Sequence, residues 1–276
     1  MQRITFISLA VTAMLASGPV WAQAGSTAEH TGIELAVETF TWDFTRNTAN
    51  VQEETGPRVR LGMGWDNFRR RTFGWVYSGE AGFLVGTTDQ ENFDTTPTTE
   101  RKINYAGIQA EGMTGIHFGS SFGVNLLAGV GFDGFARMLE TPTAGPTPPL
   151  AGTTEYWLIV FTKFGLGLSQ DFTYGHWRLE GGLKLPVYTQ TRVDVDGFDR
   201  ANFEPKRRGS IYAQAKINFG KVDSAHGGLT VYYDSYSFGD TGAQTLTVDG
   251  VASASNYRLD KSESRAVGVR LSYFFN

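Results

Sequence analysis

The chain has 276 residues, 24 Lys and Arg against 28 Asp and Glu, and no cysteine. A formal net charge of −4, with no basic run beyond Arg69-Arg70-Arg71, excludes the electrostatic footprint of a nucleic-acid binder. The lack of cysteine excludes disulfides, thiolate nucleophiles and thiolate metal sites.

The chain opens MQRITFISLAVTAMLASGPVWAQAG. Arg3 precedes an apolar core over 4–15, and Ala22-Gln23-Ala24 is a small-x-small cleavage site. Residues 1–24 are therefore expected to be a secretory signal peptide, with 25–276 as one mature domain. Beyond it the pattern is period two. Ile33, Leu35 and Val37 begin a strand that continues with Phe40, Trp42 and Phe44 on the other parity, a change that suggests a bulge. In the second strand Val59, Leu61, Met63 and Trp65 oppose Arg58, Arg60, Gly62 and Gly64. In the third, Trp75, Tyr77, Ala81, Phe83 and Val85 oppose Ser78, Glu80 and Gly82. A fourth strand over 103–116 alternates less cleanly.

The fifth contains LLAGVGFDGF, where Gly129, Gly131 and Gly134 have the G-x-G-x-x-G spacing of a dinucleotide-binding loop. That fingerprint needs a strand that gives way to a helix, so that phosphates sit on the helix N-terminus. Here Phe122, Val124, Leu126, Ala128, Val130 and Phe132 alternate on into Ala136 and Met138, a strand of about 17 residues, and the nucleotide reading fails. If Gly129 and Gly131 face a lumen, serine should be tolerated at either.

The sixth strand sets Leu158, Val160, Phe164, Leu166 and Leu168 against Lys163, Gly165 and Gly167. The seventh sets Trp177, Leu179, Leu183, Leu185 and Val187 against Arg178, Glu180, Gly182 and Lys184. The eighth alternates from Ile211 to Phe219 and the ninth from Leu229 to Tyr233. The tenth carries Val267, Val269, Leu271, Tyr273 and Phe275 on one face. Connections are short after the even strands, around Arg70, Ser120, Thr173 and Val222, and long and polar after the odd ones. One face of each strand is apolar and the other carries glycine and charge. The pattern predicts an all-β protein, a transmembrane antiparallel up-and-down β-barrel of ten strands, with eight or twelve as alternatives. A soluble barrel would turn the apolar face inward. Aromatics at strand ends are expected to form two interfacial girdles: Phe68, Phe73, Trp75, Trp177, Phe219, Tyr273 and Phe275 on the periplasmic side, and Phe40, Trp42, Tyr156, Tyr188, Tyr236 and Phe238 toward the outside.

The closing VGVRLSYFFN resembles the C-terminal signal of bacterial outer-membrane β-barrel proteins, an alternating strand that ends on an aromatic. Asn276 departs from it by following that aromatic. The resemblance covers the whole chain and implies the outer membrane of a Gram-negative bacterium. The implied partners are the barrel-assembly machinery, outer-membrane lipid and lipopolysaccharide, with an extracellular partner reached through the loops.

Lumen-lining residues are expected to be Arg60, Glu80, Glu111, Asp133, Lys163, Arg178, Glu180, Lys184, Lys216, Asp234 and Arg270, with Glu34, Glu38 and Arg137 on the same faces. Acids and bases nearly balance, as suits an ion-pair network that fills a narrow lumen. A selectivity lining for a small polar solute is the alternative. Function is therefore expected to be structural or surface interaction, with a narrow channel second. An enzyme comes third. Ten strands resemble the omptin proteases in count alone. That family uses external carboxylates with a histidine, and lipid-cleaving barrels use serine with histidine. His30, His117, His176 and His226 all fall at or near periplasmic ends, so no catalytic residue is assigned. The DVDGFD segment (Asp194, Asp196, Asp199) begins like a calcium loop but lacks the later bidentate Glu. Asp196-Gly197 and Asp249-Gly250 read as type I′ hairpin turns. No metal or cofactor is expected. Lys206-Arg207-Arg208 is a candidate contact for lipopolysaccharide phosphates.

Overall fold

The computed structural model describes residues 29–67, 72–93, 98–120, 122–140, 152–220 and 227–275. The signal peptide expected over 1–24, Phe68, Arg69 to Arg71, most of the Pro- and Thr-rich stretch after the fifth barrel strand, Val222, His226 and Asn276 lie outside these residues.

Ten long staves close into an antiparallel barrel. In chain order they are β1 (Glu29–Arg46), β2 (Ala49–Asn67), β3 (Phe73–Asn92), β4 (Thr99–Gly119), β5 (Phe122–Leu139), β6 (Thr153–Phe172) and β7 (Gly175–Val195). The eighth stave is broken into β8 (Ala201–Phe203), β9 (Lys206–Arg208) and β10 (Ser210–Phe219), and β11 (Gly227–Gly239) is the ninth. A two-stranded hairpin, β12 (Gln244–Val248) and β13 (Val251–Tyr257), precedes the last stave, β14 (Lys261–Phe275). β14 pairs with β1 from Thr31↔Phe275 to Thr45↔Lys261, so the first and last staves close the barrel.

The outer surface is a continuous apolar band. Phe83 is 68% exposed and Leu166 61%, with Leu61, Leu126, Leu183 and Leu271 also turned outward. In water such a band would be unfavourable at about 25 cal/mol per Å² of apolar surface, whereas hydrocarbon removes the penalty. The faces are those of a membrane barrel, opposite to those of a soluble one. Staves of up to 21 residues exceed the ~9–11 needed to cross a bilayer, so the barrel wall continues beyond the membrane.

Three expectations need correction. The first connection is no long loop: β1 and β2 run to a tight turn at Asn47 and Thr48, both in the left-handed region (φ 49° and 73°). No bulge occurs between Val37 and Phe40. The β1–β2 register is unbroken there and shifts only at Phe44/Thr45, so Phe40, Trp42 and Phe44 turn inward. Tyr236 and Phe238 do the same on β11. These four supposed girdle residues, Phe40, Trp42, Tyr236 and Phe238, line the lumen. Tyr156 and Tyr188 face outward as the girdle requires, as do Trp75, Tyr273 and Phe275 at the other end. A bulge is found instead where β7 meets β6. The pairing shifts between Val160 and Phe161, next to Pro186, which has no amide to give a ladder.

Gly131 shows how tightly the lumen is filled. A β-carbon there would lie 2.5 Å from the Phe161 ring, and one at Gly129 would lie 2.6 Å from the Gly112 carbonyl oxygen. Serine would clash at both positions, contrary to the expectation of tolerance.

Candidate functional site in the barrel interior

The interior has two layers. Toward the periplasmic end, inward positions on every stave carry charge, and the alternation brings opposite charges into contact. Glu38 accepts from Arg58 (2.7 Å to Nε) and from the Tyr232 hydroxyl (2.6 Å), and pairs with Arg60 at 2.8 Å. Arg60 also donates to Gln109 (2.5 Å), whose amide donates to Glu80 (3.2 Å). Arg270 bridges Glu80, at 3.0 Å from Nη2, and Glu34, at 3.4 Å. Lys163 holds Glu111 at 2.5 Å. Lys184 donates to Asp234 (2.6 Å) and lies 3.9 Å from Asp133, which also accepts from Tyr236. Arg178 pairs with Glu180, to which Gln214 donates at 2.6 Å, and Lys216 pairs with Asp66. Each of the eleven expected lining residues thus lies in the interior with a partner of opposite charge.

Above this layer the lumen is aromatic. Phe40, Trp42, Phe44, Ile103, Tyr105, Trp157, Ile159, Phe161, Tyr236 and Phe238 form one buried cluster with Phe135 packed against it. Trp42 meets Trp157 at 5.0 Å and Phe44 at 5.2 Å between ring centroids, and Trp157 meets Phe238 at 5.3 Å. Such pairs contribute about 0.5–1.5 kcal/mol each beyond area burial. Cations sit on the rings: Arg58 lies 3.5 Å from the Phe40 centroid and Lys184 3.6 Å from that of Tyr236. The cavity between the layers, lined by Phe40, Arg60, Asp133, Asp234 and Tyr236 among others, measures about 30 Å³. That is room for about one or two water molecules.

The aromatic layer contains a buried triad that the sequence reading missed. Arg137 donates to Glu54 from Nε (3.0 Å) and Nη2 (2.7 Å), and to Glu155 from Nη1 (3.0 Å). Glu54 also accepts from Thr88 (2.6 Å) and Tyr105. Glu54 and Glu155 lie in stretches read as connections. The signal was present, since Glu54 shares parity with Arg58 and Arg60, and Glu155 with Lys163.

The cluster does not stop at the barrel rim. Leu246 on β12, Leu259 before β14 and Phe203 on β8 belong to it, and Tyr257 on β13 packs against it. The Tyr257 hydroxyl donates to Glu155 at 2.6 Å. Burial, with the nearby Glu155 carboxylate, pushes the Tyr257 phenol well above its ordinary pKa, so it remains a donor. The β7–β8 turn is tied to the same hairpin. The Asp199 amide donates to the Thr247 carbonyl (2.7 Å), and the Asp199 carboxylate accepts from the Thr247 hydroxyl (2.6 Å) and the Gly250 amide (2.9 Å). Asp249 and Gly250 both have positive φ (52° and 77°), as a type I′ turn requires.

The described histidines are remote from this surface. His117 contacts Asn125 (2.8 Å) and the Gly119 carbonyl (2.9 Å), and His176 contacts Asp171 (2.6 Å), all near periplasmic turns. His30 is buried beside Phe274 at the same end. Among the described residues no cluster of His, Asp and Glu has metal-site geometry.

No family model matches the chain, and no curated protein matches it. Among solved structures it is similar to the outer membrane protease OmpT from Escherichia coli, at 11% identity and TM-score 0.46, over 92% of this chain and 99% of that one. It is similar to the translocator domain of the autotransporter NalP from Neisseria meningitidis, at 10% identity and TM-score 0.40, over 98% and 96% of the two chains. A third likeness is to an outer membrane channel from Pseudomonas putida F1, at 9% identity and TM-score 0.33, over 93% and 99%. At these identities the likeness is one of fold alone. The apolar exterior, the even stave number and the closed wall make the chain an integral β-barrel protein of a Gram-negative outer membrane.

Proposed function

We propose that the chain is a non-conducting membrane anchor that holds a fixed extracellular surface for contact with a partner outside the cell. The observation that carries this reading is the continuity of the aromatic cluster, from Phe40 and Trp42 in the wall to Leu246 and Leu259 in the extracellular segments. A channel needs a polar path, whereas here the outer half of the lumen is filled by packed side chains. A loop that only covers a pore needs no shared core with it. A histidine-dependent enzyme of the outer surface would need its imidazole there, and the described histidines are at the other end. Assembly through the C-terminal strand and solvation by outer-membrane lipid complete the reading.

Planar-bilayer recording of the purified full chain tests it. The expected result is no stable channel under conditions in which a general porin conducts. Steady ion-selective conductance that changes on Glu80→Gln would overturn it in favour of a narrow channel.

A further inference from the structure

Among the described residues the widest break in the barrel ladder is a seam between β7 and the eighth stave. On β7, residues 175–184 pair with β10 and residues 191–193 pair with β8, but the six residues from Leu185 to Gln190 have no ladder partner in the eighth stave. Facing them, β9 lies beside β7 but pairs only with β11 (Arg207↔Phe238, Arg208↔Ser237). Each lip carries a proline, Pro186 on one side and Pro205 on the other, so each has lost an amide donor. Side chains stand in for the ladder. Arg207 donates to the Val187 carbonyl, and the Ser210 hydroxyl to the Lys184 carbonyl (3.3 Å). In hydrocarbon every backbone polar group must be satisfied, so a gap of this kind is tolerated where another polar group approaches the wall.

The chemistry of the lips says what that group is. Lys206, Arg207 and Arg208 are consecutive and exposed, next to outward Val187 and Tyr188. Outward Arg192 on β7 lies with its guanidinium 6.0 Å from the ring centroid of outward Tyr156 on β6. The acids nearby include exposed Glu204, just before Pro205 on the same lip. Asp194 is shared by Arg192 and Arg200, and Asp240 meets Lys206 at 3.4 Å in a solvent-exposed pair. Apolar and aromatic side chains that meet a cluster of bases at the outer rim match an amphiphile with an anionic head. Phosphate suits guanidinium best, because two N–H groups can bind it side by side.

We propose that this seam binds a phosphate-bearing glycolipid of the outer leaflet, with its phosphates on Lys206 and Arg208 and its acyl chains along Val187, Leu185 and Ile211. The test uses the full chain in detergent, titrated with diphosphorylated lipid A and read by mass spectrometry of the intact complex. Lys206→Gln with Arg208→Gln leaves the Arg207 bond to Val187 in place, and heat-modifiable migration reports that this variant folds. Retention of lipid A should fall by about tenfold or more, as expected for loss of two bases at a membrane surface. Arg258→Gln with Arg265→Gln, elsewhere on the extracellular rim, should leave retention unchanged. Equal retention by the Lys206 and Arg208 variant would overturn the proposal. Displacement of the lipid by an equal concentration of inorganic phosphate would overturn it too, since the site would then be one for free phosphate.

Discussion

Arg137 is the residue on which the outer half of the interior depends most. It is 2% exposed, lies 5.3 Å from the Trp42 ring and 5.2 Å from that of Phe44, and serves two carboxylates at once. Burying such a group is costly, and the arrangement is tolerable only because the guanidinium fork meets Glu54 and Glu155 together. Arg137→Met keeps most of the side-chain volume but strands two buried acids, and should destabilise the barrel by about 3–5 kcal/mol. Arg137→Met with Glu54→Gln and Glu155→Gln should recover a large part of that loss. The midpoint of urea unfolding in detergent, followed by heat-modifiable migration, measures both. An unchanged midpoint in the single variant would mean that the triad is hydrated and the outer lumen open.

At the scale of elements, the hairpin β12–β13 is held by Asp199, whose bonds from the Thr247 hydroxyl and the Gly250 amide lower its pKa. A carboxylate with a folded pKa below its unfolded value favours the docked state above the unfolded pKa. That contribution is lost as pH falls through the folded value, below the ordinary carboxylate range. Acidification should therefore release the Gly250 amide to exchange with solvent while the barrel amides stay protected. Asp199→Ala should show the released exchange already at neutral pH, and amide exchange by mass spectrometry distinguishes the two. Equal protection of the Gly250 segment at both pH values would contradict this docking. The Asp249-Gly250 turn was legible in the sequence, because a type I′ hairpin is a local preference. That Asp199, about fifty positions earlier, caps it was not, because nothing local ties the two segments. Strand β1 teaches the same lesson. Period two tells which residues share a face. A run whose apolar residues change parity fits either a bulge with apolar residues still outward or an unbroken strand with them inward. Only the ladder to β14 and β2 decides, and it turns Phe40, Trp42 and Phe44 into the lumen.

Over the whole molecule, ten staves, their outward faces and the Asp249-Gly250 turn followed from alternation and turn chemistry, whereas at Asp196-Gly197 only the glycine has positive φ (83°), so that turn is not the type I′ expected. Lining charges such as Arg60, Glu80 and Arg270 followed from parity alone, since any inward residue of a barrel stave must face the lumen. Their partners did not follow, because a pair such as Lys216 with Asp66 depends on stagger across the barrel. The aromatic closure was hidden for a different reason. Aromatics near strand ends suit a membrane interface as well as an interior, and composition does not separate the two. These rings lie inside the barrel, packed away from lipid and water, and Trp42 reports on that directly. In a variant that keeps Trp42 as its sole tryptophan, reconstituted in vesicles, fluorescence should resist both brominated lipid and aqueous iodide. A matched variant that keeps only Trp75, which is 61% exposed on the outer face, should be quenched by the lipid. Quenching of Trp42 by brominated lipid would return it to the interfacial girdle, and quenching by iodide would show an open lumen; either result would contradict the sealed interior described here.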